Sequence, residues 1–235
     1  MSEIKTAIVT GANRGIGIET VRQLAARGIQ VIATARSLEQ TAALQAMAKE
    51  GLPVLVELVD ISSSASVSAL ADRVHQEFGA VDILINNAGV ALDKWVPALG
   101  LDIDVWRQTM EVNLYGALRM CQAFVPSMKT AGYGRIVNVS SELGSLTDIQ
   151  MGSSLAYRSS KTALNSLTAL LACELKDYPD ILVNASCPGW VKTELGGEDA
   201  PLTPAQGADT TVWLATLPAG SASGGLYRER AVWPW

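Results

Sequence analysis

The segment Tyr157-Arg158-Ser159-Ser160-Lys161 places a phenol and an ammonium four residues apart. On a helix, positions i and i+4 share a face and lie within side-chain reach. A phenol with an ordinary pKa of about 10 carries protons poorly at neutral pH. A fixed cation beside it favours the phenolate and draws that pKa toward the working range of an acid–base catalyst. The pair therefore points to proton transfer, although the same spacing also occurs on ordinary solvated helices. A second chemical signal is Thr10-Gly11-Ala12-Asn13-Arg14-Gly15-Ile16-Gly17. Its three glycines permit a tight turn and a close approach of backbone to a phosphate at a helix N-terminus. The spacing is GxxxGxG rather than the commoner GxGxxG, and a purely structural turn is the alternative.

The end of the next β-like run bears on the choice of dinucleotide. A carboxylate about 20 residues beyond the glycines would bond a free ribose hydroxyl, whereas an arginine suits a 2′-phosphate. Here Thr34-Ala35-Arg36 carries no Asp or Glu, and Arg14 brings a second guanidinium from the glycine loop. Forked guanidiniums pair well with phosphate, so NADP(H) is expected over NAD(H). Two solvent-exposed arginines are the plainer reading.

Such groups need a scaffold, and the chain alternates short β-branched runs with longer helical patterns throughout. Thr6–Thr10, Gln30–Thr34, Val54–Val59, Val81–Ile85, Arg135–Val139 and Ile181–Ala185 read as strands. Ile18–Arg27, Leu38–Lys49, Val67–Phe78, Val105–Met128 and Ala156–Lys176 read as helices. Buried strands separated by helices predict an α/β fold with a doubly wound parallel sheet of about seven strands and helices on both faces. No linker or composition shift interrupts the 235 residues, so a single domain over 1–235 is expected. The Gly/Ser-rich stretch Glu142–Ser154 and the stretch Glu194–Pro204 break the regularity, and loops at strand ends of such a sheet border the ligand crevice.

Bulk properties exclude several classes. The net charge is -5 and no Lys/Arg cluster occurs, which argues against nucleic acid. No run approaches the roughly 18 apolar residues of a membrane helix, and Met1–Lys5 has no apolar signal core, so a cytoplasmic protein is expected. Cys121, Cys173 and Cys187 lack metal-ligand spacing and read as buried thiols, and no metal site is expected. His75, the only histidine, lies in a polar helical stretch and reads as a surface residue.

Seven motifs in order give the chain its resemblance to the short-chain dehydrogenase/reductase family over nearly its whole length. They are the glycine loop, Val59-Asp60-Ile61, Asn86-Asn87-Ala88-Gly89, Asn113, Ser140-Ser141, Tyr157/Lys161, and Pro188-Gly189-Trp190-Val191-Lys192-Thr193. Ala12-Asn13-Arg14, Cys187-Pro188-Gly189-Trp190 and the C-terminal segment resemble the carbonyl reductase branch. The resemblance implies a Rossmann-like dinucleotide-binding domain. It implies Tyr157 as proton donor to a carbonyl oxygen, or as base in reverse. Lys161 would lower the Tyr157 pKa and bond the nicotinamide ribose, Ser141 would polarise the carbonyl, and Asn113 would anchor a water in a proton relay. Cofactor contacts would come from Gly11, Asn13, Arg14, Gly15, Ile16, Gly17, Arg36, Asp60, Ile61, Asn87, Ala88, Gly89, Tyr157, Lys161, Pro188, Gly189, Val191 and Thr193. Because side chains alternate along a strand, Ser140 and Ser141 cannot both face the site, and Ser141 is taken as the catalytic one.

Trp95, Leu143, Met151, Trp190 and Leu195 fall beside these motifs and would ring the nicotinamide end, each with core packing as its alternative. Glu142 is the one charge next to Ser141, and would exclude anionic substrates or face water. Apolar walls suit a hydrophobic ketone or aldehyde, reduced reversibly to the alcohol. A non-catalytic NADP-binding redox sensor and an enoyl reductase are the competing functions. Sensors typically lose the Tyr or Lys, and enoyl reductases space them more widely. The segment between Ser141 and Tyr157 is a few residues longer than the family's common arrangement, with the extra length in Leu146–Ser153. It lacks the long insertion of monomeric carbonyl reductases, so pairing through Val105–Met128 and Ala156–Lys176 into a homo-oligomer is expected.

Overall fold

Six β-branched runs become strands within two residues of their expected bounds: β1 Thr6–Val9, β2 Gln30–Ala35, β3 Val54–Leu58, β4 Ile83–Asn86, β5 Gly134–Val139 and β6 Ile181–Ser186. The computed structural model describes residues 4–147, 149 and 151–235. Residues 1–3 of the N-terminal segment, and Asp148 and Gln150 of the loop before the Tyr157 helix, lie outside the described residues. With β7 Leu226–Arg228 and β8 Ala231–Trp233, the strands form one sheet in the order β3-β2-β1-β4-β5-β6-β7-β8. All neighbours run parallel except β7 and β8, which pair antiparallel.

This closing hairpin adds an antiparallel edge that the sequence pattern did not indicate. Its two-residue turn, Glu229-Arg230, has φ of 51° and 62°. Both central residues are left-handed, as a type I′ turn demands, without the Asn-Gly or Asp-Gly that normally announces one.

Helices cover both faces. α1 Gly15–Ala25, α2 Ala42–Lys49 and α7 Pro204–Ala215 bury one face around Val9, Val21, Leu24, Leu44 and Val212. α3 Ser64–Phe78, α5 Ala117–Ala131 and α6 Leu155–Glu174 bury the other around Ile8, Leu70, Leu84, Phe124 and Ile136. α7 lay beyond the expected elements although its start is marked locally. Thr203 and Gln206 form a reciprocal capping box, with Pro204 in the first turn.

The continuous helix expected over Val105–Met128 is divided. α4 Ile103–Met110 leads into a π-helical turn, Glu111–Gly116, and then into α5. The turn lies where the helix crosses the end of β3: a Cβ on Gly116 would stand 2.6 Å from Ile61 Cδ1. The expected helix Leu38–Lys49 likewise breaks at Thr41 into a 3-10 turn and α2. Two outlying residues also differ from expectation. His75 is half-buried, 5.4 Å from the Phe124 ring and 3.2 Å from Ser127 Oγ. Cys173 is exposed, whereas Cys121 and Cys187 are buried. No helix among the described residues is long and apolar enough to cross a membrane.

The chain winds outward from β1 to β3 and returns across to β4, so β1 and β4 are neighbours whose following helices, α1 and α5, cover opposite faces. The crevice at their carboxyl ends is where ligands bind in open α/β sheets.

Candidate active site

The crevice floor is built by two loops zipped together. Thr10 Oγ1 accepts from the amides of Asn87 and Ala88, both at 3.0 Å. Asn87 Nδ2 donates back to the carbonyls of Thr10 (2.9 Å) and Gly11 (3.0 Å). Gly11 is left-handed, and a Cβ there would lie 2.8 Å from Ala88 Cα, so the loops meet at this distance only through glycine. α1 begins at Gly15, and its N-cap Arg14 is extended with no side-chain cap. Uncapped first-turn amides beside small residues form a cradle that fits a phosphate. Asn13, Gly15 and Ile16 line this turn. Thr193 closes it from the loop after β6, its Cγ2 3.1 Å from where a Gly15 Cβ would be.

Toward the β3 side of the crevice, Arg36 is exposed after β2. Asp60 accepts from the Ser62 hydroxyl (2.6 Å) and amide (2.9 Å). The Ser62 hydroxyl bond, with Arg36 and Arg119 nearby, holds the Asp60 carboxyl below its usual range. Two expectations change here. Ile61 is buried against Gly116, which leaves its side chain little surface for a ligand. Arg14 is not a free cation, because Glu194 pairs with it from the loop after β6. The absence of a carboxylate at the β2 turn does not extend to the folded corner.

The chemistry-bearing side chains converge past β5. Ser141 Oγ accepts from the Leu143 amide (3.1 Å), and the Ser141 hydroxyl lies near enough to the Tyr157 phenol to draw its pKa down. Ser140 turns the other way: it is buried, and its hydroxyl donates to Asn165 Oδ1 at 2.5 Å. Lys161 is buried one turn below Tyr157, its Nζ 5.7 Å from the phenol ring centroid and donating to the Val139 carbonyl at 2.8 Å. Burial pushes the Tyr157 phenol up to about 12, against a downward pull from the nearby Ser141 hydroxyl. Burial pushes Lys161 down to about 8. The expected lowering of the phenol by the ammonium is therefore not what the protein alone provides. Desolvation is the largest cause of both shifts. Glu142 and Cys187 raise the phenol further.

Asn113, expected to anchor a water, is buried beside Lys161. Its side chain is spent: Oδ1 accepts from the Val90 amide (2.8 Å), while Nδ2 donates to the Val90 carbonyl (2.8 Å) and Ser160 Oγ (2.9 Å). It sits in the π-helical turn Glu111–Gly116. Gly89 keeps the space open, since a Cβ there would lie 3.4 Å from both Asn113 Oδ1 and Lys161 Nζ.

Past β6, Pro188 and left-handed Gly189 turn the chain, Val191 is buried against Gly207, and Trp190 Nε1 donates to the Gly196 carbonyl (2.8 Å). Trp95, Met151, Trp190 and Leu195 are exposed and Leu143 is half-buried, so core packing is not their role. Glu142 is not an isolated charge. Arg228 of β7 pairs with it, and the Trp233 ring stacks 4.8 Å from the guanidinium. The Trp235 carbonyl accepts from the Leu146 amide (3.2 Å), so the closing hairpin braces the wall that follows Ser141. Glu194, Arg228 and Trp233 join the site from distant sequence, and none carries a local motif.

A sequence profile described as short chain dehydrogenase matches residues 5–201. Carbonyl reductase [NADPH] 1 of Homo sapiens is 33% identical over 280 residues, covering 100% of this chain and 99% of the human protein. That alignment is longer than this chain of 235 residues, so the human protein carries segments absent here. (+)-Neomenthol dehydrogenase of Arabidopsis thaliana is 33% identical, with 95% of each chain covered. Among solved structures, NADPH-bound carbonyl reductase from chicken fatty liver superposes with a TM-score of 0.90 at 29% identity, covering 99% of this chain and 100% of that one. The carbonyl reductase Sniffer of D. melanogaster gives 0.91 at 27%, covering 99% and 100%. With this profile match, these identities and the same architecture throughout, the chain belongs to the short-chain dehydrogenase/reductase family.

Proposed function

We propose that the protein is an NADP-dependent oxidoreductase that reduces a hydrophobic ketone or aldehyde to the alcohol, reversibly, with Tyr157 as proton donor. One observation carries this reading: Tyr157 and Lys161 are buried together, the ammonium 5.7 Å from the phenol ring, with Ser141 near the phenol and the glycine cradle beside them. Relatives named as NADPH carbonyl reductases, and the NADPH-bound chicken structure, support the cofactor. NADPH, when bound, supplies the hydride; the residues hold, orient and move the proton.

The Gly11–Gly17 cradle and the α1 amides would hold the diphosphate. Arg14 and Arg36 would hold the 2′-phosphate, and Asp60 with the Asn87–Gly89 backbone the adenosine. Lys161, Val191 and Thr193 would flank the nicotinamide half. The carbonyl oxygen would accept from Ser141 and Tyr157, two donors aimed where negative charge develops. A phenol with a pKa of about 12 is fully protonated at neutral pH, which suits a donor to a nascent alkoxide. Lys161, charged below about pH 8, would steady the phenolate left behind and reprotonate it.

Trp95, Leu143, Met151, Trp190 and Leu195 would form the substrate wall. Glu142, neutralised by Arg228, offers an anionic substrate no free cation. Homo-oligomer formation through α5 and α6 belongs to the same reading. An open groove of about 750 Å³ lies between these helices, and Leu170 is 60% exposed. The test of function is NADPH and NADH oxidation over aryl ketones, aldehydes, quinones and ketoesters, with Tyr157→Phe as control. NADPH-dependent turnover that collapses in the variant supports the reading. Tight NADPH binding without turnover on any carbonyl removes it.

A further inference from the structure

Helix α6 carries Tyr157 in its first turn, so whatever seats that turn also seats the phenol. The first amides of an α-helix have no intrahelical acceptor. Ordinarily the residue just before the helix is extended, and its side chain accepts from the second or third helical amide. α6 lacks this device. Ser154, at the capping position, is left-handed (φ 56°, ψ 43°), and its hydroxyl makes no cap. That hydroxyl instead accepts from the Trp95 amide at 3.2 Å, while the Ser154 amide donates to the Val96 carbonyl at 3.0 Å.

The cap comes from a different loop. Asp93, 1% exposed, lies in the segment after β4. Its Oδ2 accepts from the Ala156 amide at 2.6 Å and its Oδ1 from the Tyr157 amide at 3.2 Å. These are the second and third helical residues, the amides a local cap would serve. A carboxylate also suits the positive end of the helix dipole. The seam is held twice more by the Trp95 and Val96 bonds to Ser154. Trp95 is itself left-handed (φ 61°), so each side of the seam carries a non-glycine residue in a strained conformation. Such strain persists only where the surroundings over-determine it. The loop after β4 and the start of α6 therefore form one locked unit.

We propose that Asp93 is a positioning residue for proton transfer: by capping α6 from across the substrate mouth, it fixes the depth and direction of the Tyr157 phenol. The proposal rests on Tyr157 being the proton donor. A misplacement of about 1 Å in a reacting group costs on the order of 100-fold in rate. Asp93→Ala removes both acceptors, and a loss of about that size in kcat is expected. Asp93→Asn keeps one acceptor but turns an N–H against the other amide, and a loss of about 10-fold is expected. NADPH Kd stays within about threefold in both, because the glycine cradle lies outside this seam, and carbonyl KM moves less than kcat, because the Trp95 amide keeps its bond to Ser154. The solvent deuterium isotope effect on kcat rises, since proton transfer becomes slower relative to the other steps.

Rates are taken per NADPH-binding site, titrated by fluorescence well below each variant's unfolding midpoint, so a loss of folded protein does not enter. If Asp93→Ala fails to fold, Asp93→Asn carries the test. Tyr157→Phe and the Tyr157→Phe/Asp93→Asn double variant complete the set, and the second substitution is expected to cost nothing further once the phenol is gone. A kcat in Asp93→Asn within twofold of the parent, beside an inactive Tyr157→Phe, overturns the Asp93 proposal alone. So does a parallel loss in Kd, KM and kcat with an unchanged isotope effect. Full turnover in Tyr157→Phe overturns the proton-donor reading, and the positioning role with it.

Discussion

Replacing Glu194 by Gln should tighten NADPH binding and leave NADH unchanged. Glu194 and Arg14 pair across the mouth of the cofactor cradle, with side chains 76% and 58% exposed. In the proposed complex Arg14 turns to the 2′-phosphate, so its bond to Glu194 must be given up, and Glu194 is left as an anion beside that phosphate. Exposed pairs of this kind are worth about 0–1 kcal/mol, because water and salt screen them. The gain in NADPH affinity is therefore at most about fivefold, 1.4 kcal/mol being tenfold, and it shrinks as salt is raised. Arg14→Ala removes a charged donor to phosphate, worth about 1.5–3 kcal/mol, so NADPH should weaken by roughly 10- to 100-fold. NADH carries no 2′-phosphate and should move less than threefold in either variant. Fluorescence titration of both cofactors at low and high salt measures all four effects. A Glu194→Gln that weakens NADPH, or changes in Arg14→Ala that are equal for NADPH and NADH, would refute the reasoning.

Carbonyl reduction should have a flat kcat/KM below about pH 8 and a decline above it. Lys161 loses its ammonium there, while Tyr157, near 12, stays protonated across the range; Lys161→Arg, charged at every accessible pH, should remove the decline from a profile taken between pH 6 and 10. Ser141→Ala should cost about 100-fold or more in kcat as a lost oxyanion donor. Ser140→Ala should cost far less turnover, since Ser140 answers only to Asn165, and steady-state kinetics of the two decide between them. Gly116→Ala drives a Cβ to 2.6 Å from Ile61 Cδ1. Overpacking costs about 1–3 kcal/mol, which for a chain of this size lowers Tm by roughly 2–12 °C in calorimetry. Light scattering at micromolar concentration should return a multiple of the 24.8 kDa chain mass, and a monomer mass removes the pairing through α5 and α6.

What the sequence made legible was local. Each β-branched run became its strand because period and composition act within a few residues. Gly11 and Gly15 revealed the cradle because a left-handed turn in close contact needs glycine. Tyr157 and Lys161 stood out by helical spacing, which gained its weight from the motifs around it. What stayed hidden depends on partners distant along the chain. Asp93 caps Tyr157 from 64 positions away, and its neighbours Leu92 and Lys94 look like those of any loop aspartate. Glu194 reaches Arg14, and Arg228 reaches Glu142, only after the sheet has formed. The π turn at Glu111–Gly116 escaped because apolar spacing along one helix face does not register a single inserted residue. The β7–β8 hairpin escaped because three-residue strands show no alternation and Glu229-Arg230 is not a typical turn pair. The raised Tyr157 pKa escaped because spacing reveals a neighbouring cation but not the burial that opposes it.

The central claim, that hydride from NADPH and a proton from Tyr157 reduce a carbonyl, is tested most directly by following the label. The substrate that turns over fastest is reduced with NADPH carrying deuterium at both positions of the nicotinamide C4, and the alcohol is read by mass spectrometry. One deuterium on the carbinol carbon with the parent protein is predicted. No labelled alcohol above background is predicted for Tyr157→Phe, with NADPH Kd unchanged. Labelled alcohol formed by Tyr157→Phe at the parent rate, or unlabelled alcohol from the parent protein, would contradict the account.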